Sequence, residues 1–286
     1  MWTQQKIRMD LREVGVRTGM HVIVHTSLRA IGEIEGGAET LMAAFREVLG
    51  NEGTLLVPTF TFSAFDPAER ESPPESLQEV EKERAAAPVF EPLTTPAETD
   101  TVGVFPEIVR KQPDALRSHH PTHSFSAVGA LAEVLTSGVP MNYPLGSGSP
   151  VARLHQYYGY VLLLGVTHEA NTALHLAEVW ADAPYIHRAA QIKTGPDKWT
   201  KMMGSPGCSE GFNRIEPVLH QARILKRGTV GNAPAQLMRV QDVVSMAVSM
   251  LKGAGNSLLC SDQTCQRCKQ ARKYTAESHH IGGQSL

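Results

Sequence analysis

Apolar and polar positions change period several times along the chain, and each change marks a boundary between elements. Residues 4–15 carry apolar side chains at helical spacing, and Met20 to Thr26 forms a short, mostly apolar block suited to a buried strand. A turn-rich stretch to Gly36-Gly37 precedes a helical pattern from Ala38 to Leu49, closed by Gly50, and Gly53 to Thr59 reads as the next strand. Residues 103–112 predict a helix, and a short strand runs through Val128. Ser149-Pro150 opens a helix reaching Gly159, with serine at the cap and proline at the first helical position. Tyr160 to Val166 is an apolar run interrupted by Gly165, suited to a buried strand. Alternation dominates from residue 185 until Gln241 to Leu251 returns to helical period. The succession predicts an α/β fold: a mixed central sheet flanked by helices, with an antiparallel extension.

Residues 66–98 break the pattern. Six prolines stand among many glutamates there, and only 76–86 has a short helical signature. The expectation is a long, partly mobile loop over one face of the sheet, placed to act as a lid. Three of the four cysteines fall in the last 27 residues, so the chain divides into a unit spanning 1–259 and a cysteine-containing tail, 260–286.

The candidate chemistry starts at Asn171 to Glu178, which reads as the first turns of a helix following the 160–166 strand. His175 and Glu178 are three residues apart, so they share a helical face, and a carboxylate that holds an imidazole makes a general base. The competing reading is a weak surface pair. His25-Thr26-Ser27-Leu28 lies at a strand end, where N–H groups and hydroxyls can hold an oxyanion or a ligand amide, or simply make a turn. Gly36-Gly37 lacks the lysine and spacing of a phosphate loop. In the 117–126 segment, a metal reading through His120 and His123 is opposed by Pro121, which breaks the helix such a pair uses; Arg117 and the hydroxyls suit an anionic or amide-rich ligand. Cys208, Cys260, Cys265 and Cys268 supply the four thiols of a closed zinc site, with His279 or His280 as substitutes for Cys208, or they remain reduced thiols.

Composition narrows the classes. A net charge of -2 with scattered basic residues argues against nucleic-acid binding. No apolar run approaches the roughly 20 residues needed to span a bilayer, and no signal pattern opens the chain, so a cytoplasmic protein without a membrane role is expected.

In order along residues 5–252, several motifs resemble the aminoglycoside 3-N-acetyltransferase family. They are His25-Thr26-Ser27-Leu28 with Gly32 and Gly36-Gly37, the Gly53 to Pro58 strand, and Arg117-Ser118-x-His120-Pro121-x-x-Ser124. Gly148-Ser149-Pro150-Val151 follows, then Leu162 to Gly165 with Asn171-Thr172-x-x-His175-x-x-Glu178. Gly207-Cys208-Ser209, Val230 to Ala233 and the cysteine tail look like its environmental branch. The resemblance implies acetyl-CoA as donor, an amine as acceptor and His175 as the base, with Glu178 orienting it and Thr172 either near the thioester or capping the helix. It also implies coenzyme A contacts from His25, Thr26, Ser27, Leu28, Arg117, His120, Ser124 and Phe125. A polycationic acceptor wants acidic walls, for which Asp66, Glu178 and Asp182 are the candidates. The alternatives are the same chemistry on a non-aminoglycoside metabolite amine, and a non-catalytic, zinc-stapled coenzyme A binder. The expected assembly is a monomer or homodimer.

Overall fold

The computed structural model describes residues 1–70 and 72–282, with side chains as far as residue 276. The helices are α1 Gln4–Val14, α2 Leu28–Ile31, α3 Gly37–Leu49, α4 Leu77–Ala86, α5 Thr99–Val102 and α6 Val104–Arg110. They continue as α7 Ala132–Thr136, α8 Pro150–Gln156, α9 Ala173–Trp180, α10 Glu216–Gln221, α11 Val240–Gly253 and α12 Gln266–Gly282. The strands are β1 His21–Thr26, β2 Thr54–Pro58, β3 Leu116–Arg117, β4 Phe125–Gly129, β5 Tyr160–Leu164, β6 Ala189–Gly195, β7 Lys198–Met203, β8 Lys226–Val230 and β9 Ala233–Arg239.

Seven strands form one sheet in the order β3-β4-β2-β1-β5-β9-β8. β1 runs parallel to both β2 and β5, while β4 and β9 flank this trio antiparallel. The alternation of side chains along each strand builds two cores. Ile23, Leu56, Val161 and Leu163 face one side with Leu174, Phe212 and Val243. Val22, Val24, Leu55, Val57 and Leu162 face the other, against Phe45 of α3 and Phe105 of α6. β6 and β7 form a separate hairpin, the antiparallel extension. No helix among the described residues is long and apolar enough to cross a membrane.

Two elements differ from the sequence expectation. The 103–112 helix is broken at its start, because Gly103 takes φ +82° and divides α5 from α6. The 66–98 segment is tied down. Asp66 binds Arg84 through two N–H···O bonds of 3.0 and 2.7 Å, Lys193 Nζ of β6 donates to Arg84 O at 2.8 Å, and Gln191 N donates to Glu69 Oε2 at 2.7 Å. Ser76 and Glu79 form a reciprocal cap at the start of α4, which explains why a helix with only Val80 buried still forms.

The 117–125 segment braces the structure beneath the sheet's carboxyl edge. Arg117 is buried, and its guanidinium donates to Ser124 Oγ (3.0 Å), Thr59 O (2.7 Å), Thr61 Oγ1 (3.2 Å), Pro92 O (3.4 Å) and Thr95 O. Its donors are therefore committed to the protein, and burial pushes its pKa down to about 10. His120 is closed as well. Nδ1 accepts from Thr122 N and His123 N, at 3.2 and 3.0 Å, and Nε2 donates to Met141 O at 3.1 Å, which leaves no lone pair for a metal. Ser124 donates to Thr59 O at 2.7 Å, and Phe125 lies in the core.

Replacing Arg117 with Met should lower the unfolding free energy by about 3 kcal/mol or more, because several buried carbonyls lose their donors. Urea denaturation that leaves the midpoint unchanged would contradict this. Acid should also destabilise the fold. Burial holds His25 at about 3 and His120 at about 4, and His123 well below its ordinary 6.5. The folded state refuses protons that the unfolded state takes, so this stability is present above pH 6.5 and is lost as pH falls toward 4. Each histidine contributes up to about 1.4 kcal/mol per pH unit. Equal urea midpoints at pH 7.5 and 5.5 would refute it.

Candidate active site

A cleft of 1520 Å³ opens over the carboxyl ends of the parallel strands. Its volume exceeds the roughly 300–1,000 Å³ of a site for one small ligand, so there is room for two substrates together. Binding sites collect at this edge of α/β sheets, where strands give way to loops and helix starts.

The turn after β1 forms one wall. Ser27 N donates to Leu164 O at 2.9 Å, and Ser27 Oγ accepts from Ala30 N at 3.4 Å as the cap of α2. Gly165 makes this close fit possible. It takes φ +70°, and a Cβ there would lie 2.5 Å from Ala30 Cβ and 3.3 Å from Ser27 O. Thr26 Oγ1 is buried in the cleft wall without a hydrogen-bond partner.

Helix α9 carries the reactive pair. Asn171 Oδ1 accepts from Ala173 N at 3.2 Å, doing the capping that Thr172 does not, and the Thr172 hydroxyl instead meets His25 Nε2 at 3.3 Å. His175 Nδ1 lies 2.7 Å from Glu178 Oε2, with 11% of the His175 side chain and 4% of the Glu178 side chain exposed. This is no surface pair. The ring is packed edge-on to Phe212 with centroids 4.8 Å apart, which together with the Glu178 bond restricts its plane. With Nδ1–H donated to the carboxylate, the lone pair belongs to Nε2, which is the nitrogen that can accept a proton from a substrate. His25 differs. Burial alone pushes it down to about 3, and it stays neutral.

His25, Thr26, Ser27, Leu28, Thr172 and His175 line the cleft together. Glu178 stands behind His175, outside the lining. Arg117, His120, Ser124 and Phe125 do not line it either; they form the braced layer beneath, so the expected coenzyme A contacts from these four are not brought to the cleft. The expected acidic walls are also displaced. Asp66 is buried against Arg84, and Asp182 is exposed at φ +51°, 3.8 Å from His187. Asp100, Glu169, Glu210 and Asp262 line the cleft instead, alongside Arg29, Arg188 and Arg267.

An aromatic wall completes the site. Phe60, Phe62 and Phe65 surround the His123 ring with centroids 5.0–5.9 Å away. Burial, then the neighbouring His120 and His175, push His123 well down, and its Nδ1 lies 2.9 Å from Thr122 Oγ1. Phe60 and Phe62 continue the alternation of β2 beyond its last residue, which is the one sequence signal for this wall.

The four cysteine sulfurs lie within 4.8 Å of one another. Cys265 stands just before α12 and Cys268 in its first turn, and Cys268 N donates to Cys265 Sγ at 3.5 Å. Cys208 reaches them from the stretch after β7, so it is the sequence-distant member that fills the set. The side chains of His279 and His280 lie outside the described residues. Cys208 and Cys265 also border the cleft.

Residues 23–252 match the family described as aminoglycoside 3-N-acetyltransferase. Aminoglycoside N(3)-acetyltransferase VII of Streptomyces paromomycinus is 35% identical over 267 residues, covering 87% of this chain and 91% of the relative. The crystal structure of aminoglycoside acetyltransferase AAC(3)-IVa, an apoenzyme, superposes with a TM-score of 0.82 at 32% identity, over 96% of this chain and 98% of that one. A binary structure of AAC-IIIb with CoASH has a TM-score of 0.75 at 28% identity, over 88% and 96% of the two chains. The chain belongs to the aminoglycoside 3-N-acetyltransferase family.

Proposed function

We propose that the protein moves the acetyl group of acetyl-CoA to the 3-amino group of an aminoglycoside, with His175 as general base. The observation that carries this reading is the 2.7 Å bond from His175 to Glu178 in a cleft large enough for both substrates. An aliphatic amine is mostly protonated near pH 7 and cannot attack until a base removes a proton. His175 Nε2 takes that proton, directly or through a water. The amine lone pair then bonds to the thioester carbonyl carbon, and charge moves to its oxygen. The Thr26 hydroxyl, buried and unpaired in the wall, is suited to donate there. When the carbon–sulfur bond breaks, the proton on Nε2 passes to the thiolate, which leaves as the thiol of coenzyme A, and the acylated nitrogen gives its remaining extra proton to solvent, directly or through the freed Nε2. Holding amine and thioester together supplies much of the rate, so no acyl-enzyme is required.

The family name, the amine-acetylating relative and the CoASH-bound neighbour support the two substrates. Arg29 stands next to Ser27 and Leu28 and suits a coenzyme A phosphate, while Glu169, Glu210 and Asp262 suit a polycation. Thr172 and His25 hold the helix start against the strand end, and Glu178 serves the base.

Thiol release from acetyl-CoA, followed with aminoglycosides and simpler amines, tests the reading. His175→Ala should lower kcat by roughly 10²–10⁴-fold. Wild-type turnover by that variant would overturn the base. Turnover confined to a simple amine would move the acceptor to a metabolite, and binding of acetyl-CoA with no product from any amine would make the protein a binder.

We also propose a structural zinc on Cys208, Cys260, Cys265 and Cys268. Tetrahedral Zn–S bonds of about 2.3 Å place sulfurs ~3.8 Å apart, close to the spacing present here. One zinc per chain should be found by metal analysis of protein purified without chelator. Cys268→Ser should lose it and melt earlier. Metal-free protein with an unchanged melting temperature would refute the site.

A further inference from the structure

Glu178 uses one carboxylate oxygen on His175, and the other is the more revealing. Oε1 is buried with no partner at ordinary hydrogen-bond geometry, and so is the hydroxyl oxygen of Tyr185, seven residues on. The two orphans belong together. Both residues line one small cavity behind α9, and a phenol is protonated near neutral pH, able to donate. A carboxylate anchored by one oxygen is free to turn about its last torsion, where side chains have only broad minima. A donor on the second oxygen removes that freedom.

We propose that Tyr185 is the positioning residue of the catalytic pair, donating its hydroxyl hydrogen to Glu178 Oε1 and so fixing the carboxylate plane that aims His175 Nε2. The proposal rests on the reading of His175 as the base. Tyr185 is itself placed by the carboxyl-terminal tail: its ring packs among Ala183, Ile186, Leu259, Cys260, Cys268 and Ala271. The cysteine cluster thereby connects to the reacting nitrogen through one ring and one carboxylate, a route from staple to base that neither motif suggests alone.

Tyr185→Phe keeps the ring in that packing and removes only the donor. With acetyl-CoA and an aminoglycoside, kcat should fall roughly tenfold, the loss typical of a deleted second-layer partner, while KM for acetyl-CoA stays within about twofold. The same substitution in a Glu178→Gln background should cost less than about twofold more, because the hydroxyl acts through that carboxylate. Ring-nitrogen NMR supplies a readout without turnover. The titratable groups facing His175 are Glu178 on its own helix and His123 from the opposite segment. Loss of the phenol donor frees the carboxylate plane, so the His175 Nδ1–H resonance should shift from its wild-type position. An unshifted resonance with wild-type kcat, or fully additive losses in the double variant, would overturn the proposal. Full activity of His175→Ala would instead sink the base assignment, and the Nδ1–H resonance of Tyr185→Phe would still report whether Tyr185 reaches Glu178.

Discussion

The ends of β1, β2 and β5 lie side by side because their parallel registers place Val22 opposite both Leu55 and Tyr160, and Thr26 opposite Leu164. Everything reactive hangs from that edge. These three strands are buried on both faces, so the backbone can turn away only where its polar groups find new partners. Ser27 N on Leu164 O, the serine cap of α2 and the asparagine cap of α9 are those partners. The same bonds that let the strands stop therefore deliver Thr26 and His175 to one cleft.

Within this frame, histidines are separated by their partners more than by their depth. His25, His120 and His123 are buried beside hydroxyls, backbone groups or other rings, which offset too little of the cost of burying a positive charge, so desolvation keeps them neutral. His175 is the one among these four bonded to a carboxylate. The carboxylate holds Nδ1 and leaves Nε2 to face the cleft, while the other three rings are scaffolding.

Much of this was legible in the sequence. The strands through Thr26, Pro58 and Leu164 and the helices α3 and α11 followed from apolar blocks and glycine stops, which report burial directly. His175 and Glu178 followed from helical spacing, and the sulfur cluster from thiol number. Arg117, His120 and Ser124 were legible as polar residues grouped together but not as brace: their partners, Thr59, Thr95 and Met141, are remote in sequence, and nothing local distinguishes a guanidinium aimed at carbonyls from one aimed at phosphate. Asp66 was mistaken for the same reason, since Arg84 reaches it across a helix that composition marks only faintly. The aromatic wall around His123 had one trace in the sequence, the alternation of Phe60 and Phe62 past β2, and its closure on the ring depends on tertiary approach.

The bonds from Glu69 and Arg84 that secure the first part of the 66–98 segment run to Gln191 and Lys193 of the β6–β7 hairpin, while the base is mounted on α9 and the central sheet. The mouth and the chemistry thus rest on different supports. Glu69 and Arg70 line the cleft from this segment, so substitutions there would bear on which amines enter while the proton-transfer apparatus stays untouched. Diversity in what is acetylated is then written into one separable strip of surface.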